Sequence, residues 1–204
     1  MRKAFLFICV LTCSFLSKAQ KIVTQEVVSI GSKQRAEGRL NFILGGALEF
    51  GGESIGELTF QDGSVQKIFA GQGGTFMAGV SYVVGENENF EIRGTLGYKY
   101  LTTKATNVNV SLTRIPLRFT GLWKPIPKLS IGGGFSTHMG IKFNGGGLTP
   151  NEKLSSSVAP TFELGYSIFS LVVTPMTYKD QYGGKFNASA VGLYFVAPLK
   201  RKFR

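Results

Sequence analysis

From Asn89 to Leu101 apolar and polar positions alternate without a break. Phe90, Ile92, Gly94, Leu96, Tyr98 and Tyr100 fall on one face, and Glu91, Arg93, Thr95, Gly97 and Lys99 on the other. A period of two is the signature of a β-strand. The same form recurs. Leu40, Phe42, Leu44, Gly46, Leu48 and Phe50 oppose Asn41, Gly45, Ala47 and Glu49, and Phe76, Ala78, Val80, Tyr82 and Val84 oppose Thr75, Gly79 and Ser81. A fourth strand shifts its apolar phase near Thr113, which predicts a bulge there; beyond it Ile115, Leu117, Phe119 and Trp123 face away from Arg114, Arg118 and Thr120. In the fifth, Leu129, Ile131, Phe135, Met139, Ile141 and Phe143 oppose Ser130, Gly132, Gly134, Ser136, His138 and Lys142. The sixth sets Val158, Phe162, Leu164, Tyr166 and Ile168 against Ser157, Thr161, Glu163 and Ser167. Two more, Leu171 to Lys179 and Asn187 to Leu199, are apolar on both faces, which leaves their orientation open. No helical period interrupts the series.

The connections alternate in length. A long one after Phe50 contains a hairpin turn at Asp62-Gly63, so the flanking strands are read as running on beyond their neighbours. Then come a tight "GENEN", a medium link from Thr103 to Val108, a tight "KPIPK", a long "NGGGLTPNEKLSS", a minimal Phe169-Ser170 and a medium "QYGGK". Short turns at one end and long loops at the other are the habit of antiparallel barrels threaded through an outer membrane.

Alternation alone does not say which face is inside, because a soluble barrel buries its apolar row and a membrane barrel turns it to lipid. Three features favour the second. The apolar rows are bulky while the opposite rows are Gly, Ser, Thr and single charges. Tyr82, Tyr98, Tyr100, Trp123 and Tyr166 stand near the ends of apolar rows, where interfacial girdles lie. The polar rows carry both signs, so they can pair with one another in a closed interior, and glycines beside them leave room for long charged chains. The expectation is an all-β, eight-stranded antiparallel up-and-down transmembrane β-barrel.

The N-terminus adds a compartment. Arg2 and Lys3 precede an apolar run from Ala4 to Leu16, with Ser17 and Ala19 placed for a cut before Gln20, as in a secretory signal peptide. The division is then 1–19 signal peptide, 20–39 periplasmic N-terminal segment and 40–204 outer-membrane barrel. Cys9 and Cys13 both fall in the signal, so no disulfide framework is expected; acylation of Cys13 is the rival use, weakened by Thr12 before it. Without Arg2, Lys3 and Lys18 the excess of basic over acidic residues is +8, scattered apart from the tail "KRKFR", which suits anionic lipid headgroups or polyanions; no nucleic-acid partner is expected.

Eight strands enclose a bore that side chains fill, which disfavours a general diffusion pore. Glu49, Glu91, Arg93, Arg114, Arg118, His138, Lys142 and Glu163 are therefore expected to form an inward polar network that plugs it. Ser136, the single histidine His138 and Glu163 would make a hydrolase trio if they met, and that is the alternative reading. One histidine, no cysteine outside the signal and no acidic calcium-loop spacing leave no metal or cofactor expected. Glycine runs such as "GQGG" open no helix and carry no phosphate-binding lysine.

The runs "FQDGSVQKIFAGQGGTFMAGVSY", "IRGTLGYKY", "RIPLRF", "LSIGGGFSTHMGIKF" and "ASAVGLYF" resemble small bacterial outer-membrane β-barrel proteins of the porin-like superfamily. The resemblance implies a barrel of the bacterial cell outer membrane, with outer-membrane lipid including lipopolysaccharide and the barrel-assembly machinery as partners, and no enzymatic activity. It implies a structural or surface-recognition role through the long outer loops. A soluble exported barrel holding an apolar ligand is the remaining alternative. Such chains end on an aromatic residue, whereas here Phe203 is followed by Arg204 and Tyr194-Phe195 lies further in, so the insertion signal has two candidates.

Overall fold

The computed structural model describes residues 38–59, 65–84, 88–105, 108–147 and 151–199. The expected signal peptide, residues 20–37 of the segment after it, the Asp62-Gly63 turn and the tail with Phe203 lie outside them. Among the described residues the strands are β1 (Arg39–Phe50), β2 (Ser54–Thr59), β3 (Val65–Phe69), β4 (Gly73–Val84), β5 (Phe90–Ala105), β6 (Val108–Ile126), β7 (Leu129–Asn144), β8 (Glu152–Ser156), β9 (Ala159–Tyr166), β10 (Phe169–Thr174), β11 (Thr177–Lys179), β12 (Lys185–Asn187) and β13 (Ala190–Leu199).

Eight of these are hydrogen-bonded in a ring. β1 pairs with β4, then β4 with β5, β5 with β6, β6 with β7, β7 with β9, β9 with β10, β10 with β13, and β13 with β1 again, all antiparallel. Closure removes the unpaired edges that an open sheet would present. The strands succeed one another around the ring in chain order, so the up-and-down expectation holds at the level of hydrogen bonding.

One end of the ring is built from tight turns. Lys128 (φ 76°) and Ser167 (φ 60°) take the left-handed conformation that two-residue hairpin links demand, and the Ser167 N–H donates to the Lys128 carbonyl at 2.6 Å. The other end carries the extensions. β8 adds to β7, β11 to β8 and β12 to β11, continuing the wall upward. β2 and β3 form a separate two-stranded sheet rather than prolonging β1 and β4, because Gly51 (φ 120°) and Gly52 (φ 86°) break the strand direction after Phe50. Thr103, Lys104, Ala105 and Val108, expected in a loop, are strand: β5 and β6 stay paired as far as Ala105 with Val108.

Facing follows the expected rows through most of the ring. Leu40, Phe42, Leu48, Phe76, Ile92, Leu96, Leu117, Phe119, Phe135, Phe162 and Leu164 are all exposed, and Glu49, Thr75, Ser81, Glu91, Thr95, Arg118, Ser130 and Glu163 are buried. The two strands with both faces apolar resolve as well. Leu171, Val173, Val191, Leu193 and Phe195 point out, while Val172, Tyr194 and Val196 point in to meet Ile43, Ala47 and Met77. That arc of the interior is apolar, which is why its sequence shows no alternation.

Toward the loop end the polarity of the wall inverts. Ile68, Val110, Leu112, Ile141, Phe143, Leu154, Met176 and Tyr178 form a buried apolar cluster inside it. β6 reaches this by changing its sequence: the backbone keeps one phase, but Val110 and Leu112 occupy inward positions where Arg114 and Arg118 stand lower down. β7 reaches it by changing its backbone. Its apolar residues stay on odd positions throughout, yet Met139 is exposed and Ile141 buried, because Gly140 at φ 57° inserts an extra residue opposite Arg114. The bulge expected near Thr113 therefore lies on the partner strand. As a result Ile141 and Phe143 face inward, and Lys142 faces outward instead of joining the polar interior.

Gly140→Ala should cost about 1 kcal/mol, since an L side chain in the left-handed region is strained. A Cβ there would meet nothing closer than Ile115 at 3.7 Å, so sterics add little. Gly94→Ala, with open space and no unusual φ, should be neutral or slightly stabilising. Urea unfolding followed by the fluorescence of the single tryptophan, Trp123, would separate them; equal shifts would mean that the Gly140 conformation does not set the flip.

Candidate functional site

The inward charged residues are tied together in three tiers. Nearest the tight turns, Glu91 Oε1 accepts from Arg93 Nε and Nη2, both at 3.1 Å, and Glu91 Oε2 pairs with Lys124 Nζ at 2.7 Å. Arg93 links upward: its Nη1 lies 3.0 Å from Glu163 Oε1. Glu163 is the centre of the middle tier. Its Oε1 also accepts from Ser170 Oγ at 2.7 Å, and its Oε2 pairs with Arg118 Nη2.

Local sequence explains the reach. Arg118 on β6 and Glu163 on β9 are separated by β7, whose inward row from Ser136, opposite Arg118, to Gly132, opposite Glu163, holds only Ser136, Gly134 and Gly132, so no bulky side chain stands between them. The Arg118 guanidinium also lies 4.3 Å over the Tyr194 ring, a cation–π contact across the bore. Gly192 serves the same end on β13, for a Cβ there would come within 2.6 Å of Glu49 Cγ and 2.9 Å of the Tyr194 ring.

The third tier lies under the apolar cluster. Glu49 Oε2 accepts from Lys99 Nζ and Thr75 Oγ1, both at 3.0 Å. Lys99 and Arg114 are fully buried and hold the chain between β3 and β4: Lys99 donates to the Gly71 carbonyl at 2.6 Å, and Arg114 to the carbonyls of Ala70 and Gln72. Arg114 Nη1 reaches the Tyr178 hydroxyl at 3.2 Å, and that hydroxyl meets His138 Nδ1 at 2.5 Å. Carbonyls and a phenol compensate the Arg114 charge where no carboxylate is in reach among the described residues.

Of the residues assigned to the polar rows, Glu49, Glu91, Arg114, Arg118, His138 and Glu163 are buried and Arg93 is half-buried. Lys142 is exposed. The trio of Ser136, His138 and Glu163 is not assembled. Ser136 Oγ donates to the Leu117 carbonyl at 3.4 Å, His138 is occupied by Tyr178, and both Glu163 oxygens are taken by arginine. In register Glu163 lies opposite Gly132, six residues from His138 along β7, or roughly 20 Å at the strand rise.

Lys99, Tyr178 and Tyr194 were not among the expected members. Lys99 was legible, since it sits on the polar row of the strand with Glu91 and Arg93. The tyrosines were not, because they belong to the strands whose facing the sequence leaves open. Among the described residues no group of three His, Cys, Asp or Glu side chains is placed to hold a metal.

No protein-family model matches the chain, and no curated protein matches it. Two crystal structures of Ail, the attachment invasion locus protein of Yersinia pestis, are similar, the second in complex with the heparin analogue sucrose octasulfate. They have 12% and 13% sequence identity, each with a TM-score of 0.44, and the match covers 79% of this chain and 99% of that one.

Removing one partner of a buried ion pair leaves the other uncompensated, at about 3–5 kcal/mol. Glu163→Gln abandons two arginines at once and should fall in that range, whereas Glu57→Gln, in an exposed pair with Lys67, should stay within about 0.5 kcal/mol. Urea midpoints of the two variants test this; similar small losses would mean that Glu163 is not the centre of the network.

Proposed function

We propose that this chain is a non-enzymatic outer-membrane β-barrel of a bacterial envelope, its bore closed by the charged network and its long connections offered outward for a structural or surface-recognition role. The observation that carries the reading is the inversion of the wall. Around the lower ring Phe, Leu, Ile, Val and Tyr face out and charges face in; at the loop end apolar residues face in and Lys142, Lys153 and Lys179 face out. One protein surface with two opposite rules needs two solvents, hydrocarbon below and water above.

The dimensions agree. From Leu40 to Phe50 the outward row spans eleven residues, which at the usual rise and barrel tilt gives a band of about 25 Å. Tyr82, Trp123 and Tyr166 border it at the turn end, and Tyr98 and Tyr100, stacked with centroids 6.5 Å apart, at the loop end. On this reading the tight turns and both barrel ends of the chain are periplasmic. Outer-membrane lipid, including lipopolysaccharide, surrounds the wall, and the barrel-assembly machinery inserts it.

On this reading the charged network and the narrow bore of eight strands disfavour a diffusion pore. The dispersed Ser136, His138 and Glu163 argue against a lipid hydrolase, and the outward apolar rows against a soluble carrier. Carbonate-washed membranes should retain the protein, and unheated samples should migrate differently from boiled ones on a gel. A freely soluble periplasmic pool would overturn the membrane assignment. Ser136→Ala should leave the acyl pattern of the surrounding lipid A unchanged, and a changed pattern would restore the enzyme.

A further inference from the structure

The residue that left the interior has company outside. Lys142 on β7 is the direct cross-strand partner of Lys153 on β8. Two residues on, Ser155 is opposite Lys179 of β11, and Lys179 is opposite Lys185 of β12. Directly opposed residues of antiparallel strands share a face, so the four lysines form one row across four strands, and all four are exposed. Like charges placed directly opposite one another are destabilising, a cost that an external anion would relieve.

The wall supplies no such anion: among the described residues, none of the four lysines has an ion pair. The nearby acids are engaged or turned away. Asp180 Oδ1 accepts from the N–H groups of Tyr182 and Gly184, Glu53 Oε2 accepts from the N–H of Asn187, and Glu152 is on the opposite face of β8 from Lys153.

The position of the row is informative. On β7 the outward column runs Phe135, Met139 and then, past the Gly140 bulge, Lys142; below the row stand Val158, just before β9, and Phe162 on it, both exposed. The lysines thus begin where the apolar belt stops. On the membrane reading above, that is the level of the phosphates of outer-leaflet lipid, whose acyl chains would lie against Met139, Val158 and Phe162.

We propose that Lys142, Lys153, Lys179 and Lys185 form a binding row for the phosphate groups of a phosphorylated glycolipid in the outer leaflet, an assignment that rests on the membrane reading above. Four point charges on flexible stems suit two or more phosphates of variable spacing better than a single planar carboxylate. The row also explains the bulge. Without the extra residue at Gly140, Lys142 would turn inward beneath the apolar cluster, and the row would lose its first member.

The test folds the full barrel chain into vesicles of phosphatidylcholine mixed with bis-phosphorylated lipid A, and in parallel with the same lipid after removal of its phosphates. Native mass spectrometry of the extracted barrel then counts the retained glycolipid. Each near-surface lysine contributes about a fivefold preference for anionic lipid, so the wild type should retain the phosphorylated form well over tenfold better. The quadruple Lys→Gln variant should lose that preference while keeping heat-dependent gel migration, and K142Q alone should reduce it several-fold.

Equal retention of both lipids by a folded wild-type barrel, or an undiminished preference in the folded quadruple variant, overturns the row and leaves the membrane reading standing. Failure of the wild type to fold into either vesicle overturns both. Capture of soluble polyphosphate without lipid preference overturns the lipid assignment.

Discussion

Backbone polar groups in a sheet need partners, and a wall that turns bulky apolar side chains outward cannot leave a strand edge open to solvent or lipid. The β1–β13 pairing meets this constraint: nine residue pairs from Phe42 with Leu199 to Phe50 with Val191 close the ring. Everything else in the molecule is arranged around the bore that this closure creates. Eight strands leave an interior only as wide as its side chains, so whatever points inward must meet a partner from the far wall.

The interior meets that demand in sectors. The arc of β1, β4, β10 and β13 is lined by Ile43, Ala47, Met77, Val172 and Val196, and the arc of β5, β6 and β9 by Arg93, Lys99, Arg114, Arg118 and Glu163. Tyr194 joins the two, its ring in the apolar cluster and its face under Arg118. Glu163 is shared by two arginines and a serine because the glycines of β7 open a path across the bore. At the loop end Lys99 and Arg114 hold the chain between β3 and β4 by its carbonyls, which brings the apolar cluster down onto the charged tiers.

On the membrane reading, the change of solvent along the wall is written in two ways in adjacent strands. β6 keeps its backbone phase and changes residue type, while β7 keeps residue type and changes backbone phase at a single glycine. Either device alone gives the correct facing, and pairing them leaves a one-residue register slip between Thr113 and Ile115. The same slip that sends Ile141 and Phe143 into the apolar cluster presents Lys142 to the outside.

Sequence alone determined what depends on a period of two: the strands themselves, the outward rows of the lower ring, and the polar rows opposite them on which Glu49, Glu91, Arg93, Arg118 and Glu163 stand. Local alternation carries all of these, because the strand pleat sends neighbours to opposite faces whatever they later pack against. Tertiary structure decided the rest. It set the facing of β10 and β13, where both sides are apolar, and the orientation of Lys142, where unbroken apolar periodicity hides a backbone flip. It also separated Ser136, His138 and Glu163, which share a predicted face but not a level. A pattern along one strand reports the face of a residue, and only the register with its neighbours reports its height and its partner.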